Sequence, residues 1–581
     1  MPPLQSLPSS RFTSQQACKR SRGFADFSFV YRSTYALDPP WQIHFTVAWT
    51  GLVAVLAAFS APYLYRSIRS GRAWQGLGIW EDLYGKYYQP VNAVDEKGFP
   101  KHRRKSLSSS MGTAAKLRSF LFWTLPGLSL DLGQLIILVA YMAILVVCIV
   151  MRAPLTDNPN RAGFIALAQL PLVFAFATKN SILTLLLGQG YEKLNFIHRW
   201  GGRGMFLSAT IHGSLWIRNH LIYNVQIIGS TKETLGVIAY ALLGIIVLTS
   251  LKPVRQYAYQ LFFFFHIVAV VTFFVVVNYH TPYSIPWIYP PIAFYGLDVL
   301  VRMLRYRIKD AVLDAPDNQM TIVKVENCDG GWIAGQHVRL RVFFSGRIFE
   351  SHPLTILNAP SSVSCFSSTQ RGSLVLGARV CGDWSKALNA HAMSDKEKSS
   401  ARVVVMVDGP YGGSTIDAGE YEQALLVAGG SGATFTLGIL DDLVGRIVKL
   451  GRKGGEKTTR IEFAWCIRSF GALFWFAPML RDIATLAKDS SVQLHITVFV
   501  TCLCDPESVP SIPNCDVVIE KPSVMRMLEP LLSDSEGGGI ALAVSGPESL
   551  TTEALNTVAS LSLAQQRSTG GVAVHTEVFA L

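Results

Sequence analysis

Residues 198–212 read HRWGGRGMFLSATIH, and residues 266–280 read HIVAVVTFFVVVNYH. Each segment begins and ends on histidine, fourteen residues apart, and each lies in an apolar stretch of about 20 residues, enough to cross a hydrocarbon core. At about 100° of turn and 1.5 Å of rise per residue, that spacing returns both side chains to within about 40° of one helix face. It separates them by roughly 21 Å. Each helix therefore offers one imidazole near each membrane surface. Ionisable side chains inside a bilayer are costly and mark function.

Outward from these two segments, apolar stretches of spanning length fall near 43–63, 133–151, 163–187, 197–217, 234–250, 260–278 and 286–304, which predicts seven membrane helices. The composition agrees: 50% of residues are apolar and 16% charged, against about a quarter charged in soluble domains. The net charge of +12 reads as positive-inside loops rather than a nucleic-acid surface. Arg66, Arg69, Arg72, Lys101, Arg103, Arg104, Lys105, Lys116 and Arg118 follow the first stretch, and Arg302, Arg305, Arg307 and Lys309 follow the last. An even number of crossings separates the two clusters, so both fit a cytosolic side, with residues 310–581 inside and the N-terminus outside. Lys19, Arg20 and Arg22 oppose this only from a distance. The first thirty residues show no cleavable signal pattern, so insertion is expected to use the first membrane helix. Nine cysteines form no CxxC pair or zinc spacing, Cys502-x-Cys504 coming nearest, which suits free thiols in a reducing compartment. The serine run Ser108–Ser110, with Ser106 before it, reads as a flexible loop.

Past residue 310 the pattern becomes short alternating strands, such as 319–325 and 337–344, broken by Gly, Pro, Asn and Ser. That is the mark of a small antiparallel barrel. From Ala424 it becomes apolar strand, glycine turn and helix, repeated at 424–428, 461–467, 495–500 and 539–545. This predicts a parallel α/β nucleotide-binding domain.

The helices bearing the histidines are two crossings apart and run parallel, so His198 can face His266, and His212 can face His280. Two bis-histidine sites stacked across the bilayer result. Paired neutral imidazoles are good axial ligands for haem iron and favour electron transfer over oxygen binding. His44 and His220 have no such partner and read as interfacial.

The run His198-Arg199-Trp200-Gly201-Gly202-Arg203, the paired histidines, Gly335-Gln336-His337, His352-Pro353-Leu354-Thr355, Asp408-Gly409-Pro410-Tyr411-Gly412, Gly429-Gly430-Ser431-Gly432 and His575-Thr576-Glu577-Val578-Phe579 together resemble the ferric reductase and NADPH oxidase superfamily. The likeness is nearest to fungal ferric-chelate reductases and covers roughly residues 130–581. It implies a di-haem membrane core followed by a ferredoxin-reductase-like unit, with haem b (two), FAD and NADPH as cofactors. The implied division is a tail at 1–42, the first membrane helix and a basic loop at 43–130, a di-haem transmembrane domain at 131–308, an FAD-binding β-barrel at 309–415 and an NADPH-binding α/β domain at 416–581.

Residue by residue, the resemblance places His352, Pro353 and Thr355 along the flavin edge, with Leu354 at a position more often aromatic. Gly382-Asp383-Trp384-Ser385 looks like the pyrophosphate turn, Gly382 allowing close backbone approach and Ser385 supplying a hydroxyl. Gly429, Gly430, Ser431 and Gly432 follow an apolar strand and open a helix, where free N–H groups favour a phosphate, although Phe435 departs from GxGxxG. Arg468, ending the next strand, resembles the clamp on the 2′-phosphate and favours NADPH over NADH. Ser545-Gly546-Pro547 stands where relatives carry Cys-Gly-Pro beside the nicotinamide. Phe579 matches the terminal aromatic that lies over the flavin.

The implied reaction runs from cytosolic NADPH through FAD, the inner haem (His198, His266) and the outer haem (His212, His280) to ferric chelates outside, with cupric ion as a second acceptor. Coupling to an iron permease or transporter, and a plasma-membrane location with a vacuolar or other endomembrane alternative, are further expectations. Two rivals are a superoxide-forming oxidase, which the Gly382-Asp383-Trp384 turn favours, and a haem-bearing transporter or nucleotide sensor.

Overall fold

A computed structural model describes residues 34–69, 71–75, 77, 105–125, 130–344, 346–367, 372–394, 401–502 and 510–579. The tail before residue 34, including Lys19, Arg20 and Arg22, and the loop residues Lys101, Arg103 and Arg104 lie outside the described residues, as does Cys504. The N-terminal half forms α1 (Pro39–Arg69), α2 (Lys105–Phe120), α3 (Leu132–Val150), α4 (Asn160–Ala168), α5 (Leu170–Ala175), α6 (Ile182–Leu187), α7 (Tyr191–Ile222), α8 (Thr231–Thr249), α9 (Tyr259–His280) and α10 (Ile285–Arg305). The chain divides into two compact units: residues 1–55, 138–175 and 196–294, and residues 56–137, 176–195 and 295–581.

Among the described residues, the helices of α1, α3, α8 and α9 are long and apolar enough to cross a membrane. α7 has the length, at 32 residues, but carries Glu192, Lys193, Arg199 and Arg203 in its first turns. The stretch expected to be one helix over 163–187 is instead three short ones, α4, α5 and α6. Pro171 supplies no N–H to the helical ladder at the first break. The polar run Thr178–Ser181 makes the second, and the Ser181 hydroxyl caps α6 by accepting from the Leu183 N–H at 3.2 Å.

In the first unit, Ala166, Leu170, Met205, Leu243, Ala269 and Phe273 form a buried apolar cluster from α4, α5, α7, α8 and α9. Arg161, at the head of α4, is buried and donates through Nε to Asp38 at 2.7 Å. Its guanidinium also reaches the carbonyls of Cys148 and Met151, so this charge is paired and hydrogen-bonded as burial demands.

The second unit contains two six-stranded sheets. In the first, β1 (Arg307–Asp317), β2 (Met320–Glu326), β3 (Gln336–Val342), β4 (His352–Thr355), β5 (Ser373–Arg379) and β6 (Ala401–Gly412) pair antiparallel in the order β4-β3-β6-β1-β2-β5. A bridge between Ile356 and Leu376 draws the two edge strands together, so the sheet nearly closes. β1 starts at Arg307, two residues before the boundary expected at 309. α11 (Asp383–Ser394) covers one end.

The second sheet, built from β7 (Gln423–Gly429), β8 (Arg460–Ile467), β9 (Gln493–Val500), β10 (Cys515–Val518), β11 (Ile540–Gly546) and β12 (Val572–Val578), is wholly parallel in the order β10-β9-β8-β7-β11-β12. α12 (Ala433–Val448) follows β7 and ties the two sheets together. Its buried Asp441 carboxylate accepts from the Ala359 N–H at 2.8 Å and the Cys365 N–H at 2.6 Å. The serine run is not a loop: Ser106–Ser110 lie in the backbone of α2. That helix lays Gly112 against the main chain of Gln566 and Arg567, and Lys116 donates to the Ala559 carbonyl at 2.8 Å. Tertiary packing there outweighs the weak helix propensity of serine.

Candidate functional site

Facing helices α7 and α9 bring the four histidines together in two pairs. The ring centres of His198 and His266 stand 6.3 Å apart, with planes at 68°, and those of His212 and His280 stand 6.5 Å apart at 66°. Carbonyl oxygens can only accept, so three of the tautomers are defined by their Nδ1 partners. His198 Nδ1–H donates to the Val173 carbonyl at 3.0 Å, His212 Nδ1–H to that of Pro159 at 2.8 Å, and His280 Nδ1–H to that of Lys232 at 2.8 Å. His266 Nδ1 meets Ser250 Oγ at 3.2 Å, and that hydroxyl gives its own proton to the Ile246 carbonyl. His266 thus donates as well, and all four rings keep the Nε2 lone pair for a metal. An outer hydrogen bond that orients the ring and fixes its tautomer is the usual support for a ligating histidine. An iron atom bound by Nε2 on both sides at about 2 Å would set the ring centres a little over 6 Å apart. A cavity of about 380 Å³ adjoins the outer pair, lined by Gly163, Leu170, Met205, Tyr240 and Phe273 besides the histidines. The residues therefore fit two bis-imidazole haems.

In the first sheet, His352 stacks on Trp384 with ring centres 4.1 Å apart and donates through Nε2–H to the Glu350 carboxylate at 3.1 Å. Burial draws the His352 pKa down, opposed by Glu350. Pro353 is exposed, Leu354 packs against the barrel core, and Thr355 lies directly across from His337 on β3. The Ser385 hydroxyl is used within its own turn: it accepts from the Cys381 and Gly382 N–H groups at 2.9 and 3.0 Å. Among the described residues nothing lies within 4 Å of the Cβ side of Gly382, which leaves room for a group to approach the main chain.

The parallel sheet reverses strand order between β7 and β11, and such a switch point opens a crevice at the carboxyl ends of the strands. Gly429 ends β7 and Gly546 ends β11. The packing there leaves no room for side chains: a Cβ on Gly432 would stand 2.2 Å from the Ser545 carbonyl, and one on Gly429 would stand 2.8 Å from Pro547. Gly430 has φ +57 and accepts from Trp465 Nε1 at 2.9 Å. Ser431 is the middle residue of the 3₁₀ turn Gly430–Gly432 that leads into α12. Arg468 sits exposed at the carboxyl end of β8. The Ser545 hydroxyl is fully buried and has no hydrogen-bond partner among the described residues. Phe579 donates its N–H to the Gly546 carbonyl at 3.0 Å and packs against the α/β core.

Sequence reading did not anticipate a buried cluster around the last strand. His575 Nδ1 accepts from the Thr415 N–H at 3.0 Å, so Nε2–H donates to Glu577 at 2.9 Å, and Lys193 pairs with Glu577 at 3.3 Å. The His575 ring stacks on Phe435, with centres 5.4 Å apart. Burial pushes His575 down to about 4, so it is neutral. Burial alone would raise Glu577, but Lys193 and the His575 N–H bring it down to about 2. Only the titratable type of these residues was visible beforehand, since their contact spans 382 positions.

Residues 162–277 match the family described as ferric reductase like transmembrane component, residues 306–415 match the FAD-binding domain, and residues 421–559 match the ferric reductase NAD binding domain. The chain is 29% identical over 348 residues to ferric reductase transmembrane component 3 of Saccharomyces cerevisiae, covering 58% of this chain and 46% of that one. It is 29% identical over 351 residues to the ferric/cupric reductase transmembrane component 2 of the same yeast, with the same coverages. It is also 27% identical over 360 residues to a probable cell surface ferric reductase, kap2, of Aspergillus oryzae, again at 58% and 46%. The chain thus spans about half the length of the curated relatives it matches.

Proposed function

We propose that this chain, which belongs by its three matched domains with the ferric reductases, is a transmembrane metalloreductase. It passes electrons from cytosolic NADPH, by way of FAD and two haems b, to ferric iron on the far side, with cupric ion as a second acceptor. The observation that carries the reading is the twin imidazole pairs, each with Nδ1 engaged and ring centres 6.3 and 6.5 Å apart. When bound, the flavin converts hydride chemistry into single-electron chemistry and the haems supply single-electron carriers.

The chain's own residues hold and orient these groups. His198 with His266, and His212 with His280, would hold the two haem irons through Nε2. Thr355 offers its hydroxyl to the flavin edge while Pro353 and His352 shape the adjoining strand. The open backbone at Gly382, with Ser385 stiffening the turn, and the glycine crevice of Gly429, Gly430, Ser431 and Gly432 receive phosphates. Arg468 takes the 2′-phosphate, which selects NADPH. Ser545, Gly546 and Pro547 would border the nicotinamide, and Phe579 would lie beside the flavin.

The domain limits 131–308, 309–415 and 416–581, a cytosolic C-terminal half, a plasma-membrane location and coupling to an iron permease belong to the same reading. The name of the Aspergillus relative supports the location. The test is a reduced-minus-oxidised spectrum of the purified chain after NADPH addition, with haem content per chain, and an assay of ferrous chelate against superoxide at the outer face. Two haems reduced by NADPH and ferrous product are expected. Superoxide as the main product would favour the oxidase reading, and absence of haem would end both.

A further inference from the structure

Each NADPH oxidised for two electrons sent outward leaves one net proton inside. Hydride carries one proton to the flavin, solvent adds a second, and both must leave as the electron pair departs singly. The proton's exit has to begin at the flavin edge, which on the reading above is Thr355.

Thr355 pairs across the sheet with His337, so the two side chains share a face. His337 Nε2 lies 3.4 Å from the hydroxyl of Tyr191, the first residue of α7. The next residue, Glu192, shares with His337 the space over the bare Cα of Gly412. A Cβ there would stand 2.9 Å from Glu192 Oε1 and 3.2 Å from His337 Nδ1. Glu192 Oε2 is buried and has no hydrogen-bond partner among the described residues. A carboxylate so placed is expensive unless it is protonated.

We propose that Glu192 is the proton acceptor for the flavin edge, taking up through Thr355 and His337 the proton released as each electron leaves. The proton moves from flavin to Glu192 Oε2 and then to cytosolic solvent, and no redox change falls on the chain. The assignment rests on the flavin placement proposed above. Glu192 lies ahead of the apolar span at 197–217, and burial, followed by the charge of Glu577, raises its pKa to about 7. The groups facing it are Tyr191 and Lys193 on its own helix, His337 on β3, and His575 and Glu577 on β12. Burial holds His337 near 4, which keeps it neutral and able to relay.

The test uses the full chain in lipid nanodiscs, loaded with FAD and haem. Infrared difference spectra between oxidised and NADPH-reduced samples should show a carboxylic-acid C=O change at pH 6 that disappears in Glu192→Gln. Haem reduction by the reduced flavin should slow by roughly a hundredfold in that variant, the scale of a lost general base. Glu192→Asp should shift the band rather than abolish it and restore part of the rate, which guards against a Gln variant that loses flavin. An unshifted band in Glu192→Asp, or an intact band and rate in flavin-loaded Glu192→Gln, overturns the assignment and leaves the reductase reading standing. A wild-type chain whose flavin is not bleached by NADPH overturns both.

Discussion

Gly163 stands against the ring of His212: a Cβ on it would come within 3.0 Å of the imidazole Cγ and Nδ1. Gly236 on α8 backs His280 still more closely, its Cβ position lying 2.8 Å from Cε1. Each outer ring is thus held from behind by a helix that approaches at its glycine. Gly163→Ala and Gly236→Ala should displace the outer histidines, with the larger effect at Gly236, lowering haem content from two per chain toward one. Gly202→Ala, where nothing among the described residues lies within 4 Å, should leave both haems in place. Pyridine haemochrome analysis and a redox titration on the three variants check this. Equal spectra for all three would exclude the glycine contacts as a constraint on the rings.

The pairing of rings separates the two ends of the electron path. His212→Ala and His280→Ala should disturb the outer haem, and His198→Ala and His266→Ala the inner one. An outer-ligand variant should still bleach its flavin with NADPH and reduce the inner haem. It should fail to reduce an impermeant ferric chelate, because fourteen helical residues leave about 21 Å to cross. Two haems of normal spectrum and full external activity in His212→Ala would sink the two-haem path.

Arg468 is exposed at the end of β8, where its guanidinium can meet a 2′-phosphate without first being desolvated. Arg468→Ala should raise the KM for NADPH about ten- to a hundredfold and leave that for NADH nearly unchanged, since a hydrogen bond to a charged group is worth roughly 1.5–3 kcal/mol. Steady-state kinetics with both nucleotides decide it; equal changes would remove Arg468 from the 2′-phosphate site.

Glu577 is held at about 2, below its ordinary 4.5. A carboxyl depressed on folding contributes stability that is present in full above the unfolded value and is lost as pH falls through the folded one. Lys193→Met removes the chief counter-charge and should destabilise the chain by roughly 2–3 kcal/mol at neutral pH. The difference from wild type should shrink between about pH 4.5 and pH 2. Thermal unfolding followed by flavin fluorescence across that range checks it. A difference independent of pH would mean that Lys193 acts through packing alone.

Periodic features were legible in the sequence because helix and strand periods repeat within a few residues. Apolar runs near 133–151, 234–250 and 260–278 became α3, α8 and α9, and the short apolar strands from Ala424 onward became β7, β8, β9 and β11. Glycines in the run 429–432 could be read as a turn from residue type alone. The break of 163–187 into three helices was less visible, since a single Pro171 and a polar patch do not change the mean apolarity of the stretch.

What supports the four histidines came only from tertiary structure. The carbonyls of Val173, Pro159 and Lys232 lie 25, 53 and 48 residues from the rings they orient, and every residue has a carbonyl, so no pattern marks these three. Gly163 and Gly236 were ordinary small residues until two helix backbones approached them. Glu192 and the His575–Glu577 pair acquire their charge states from burial beside groups hundreds of positions away. Local sequence period determines which residues share a face; which faces meet, and which groups lose water there, is decided only when the chain has folded.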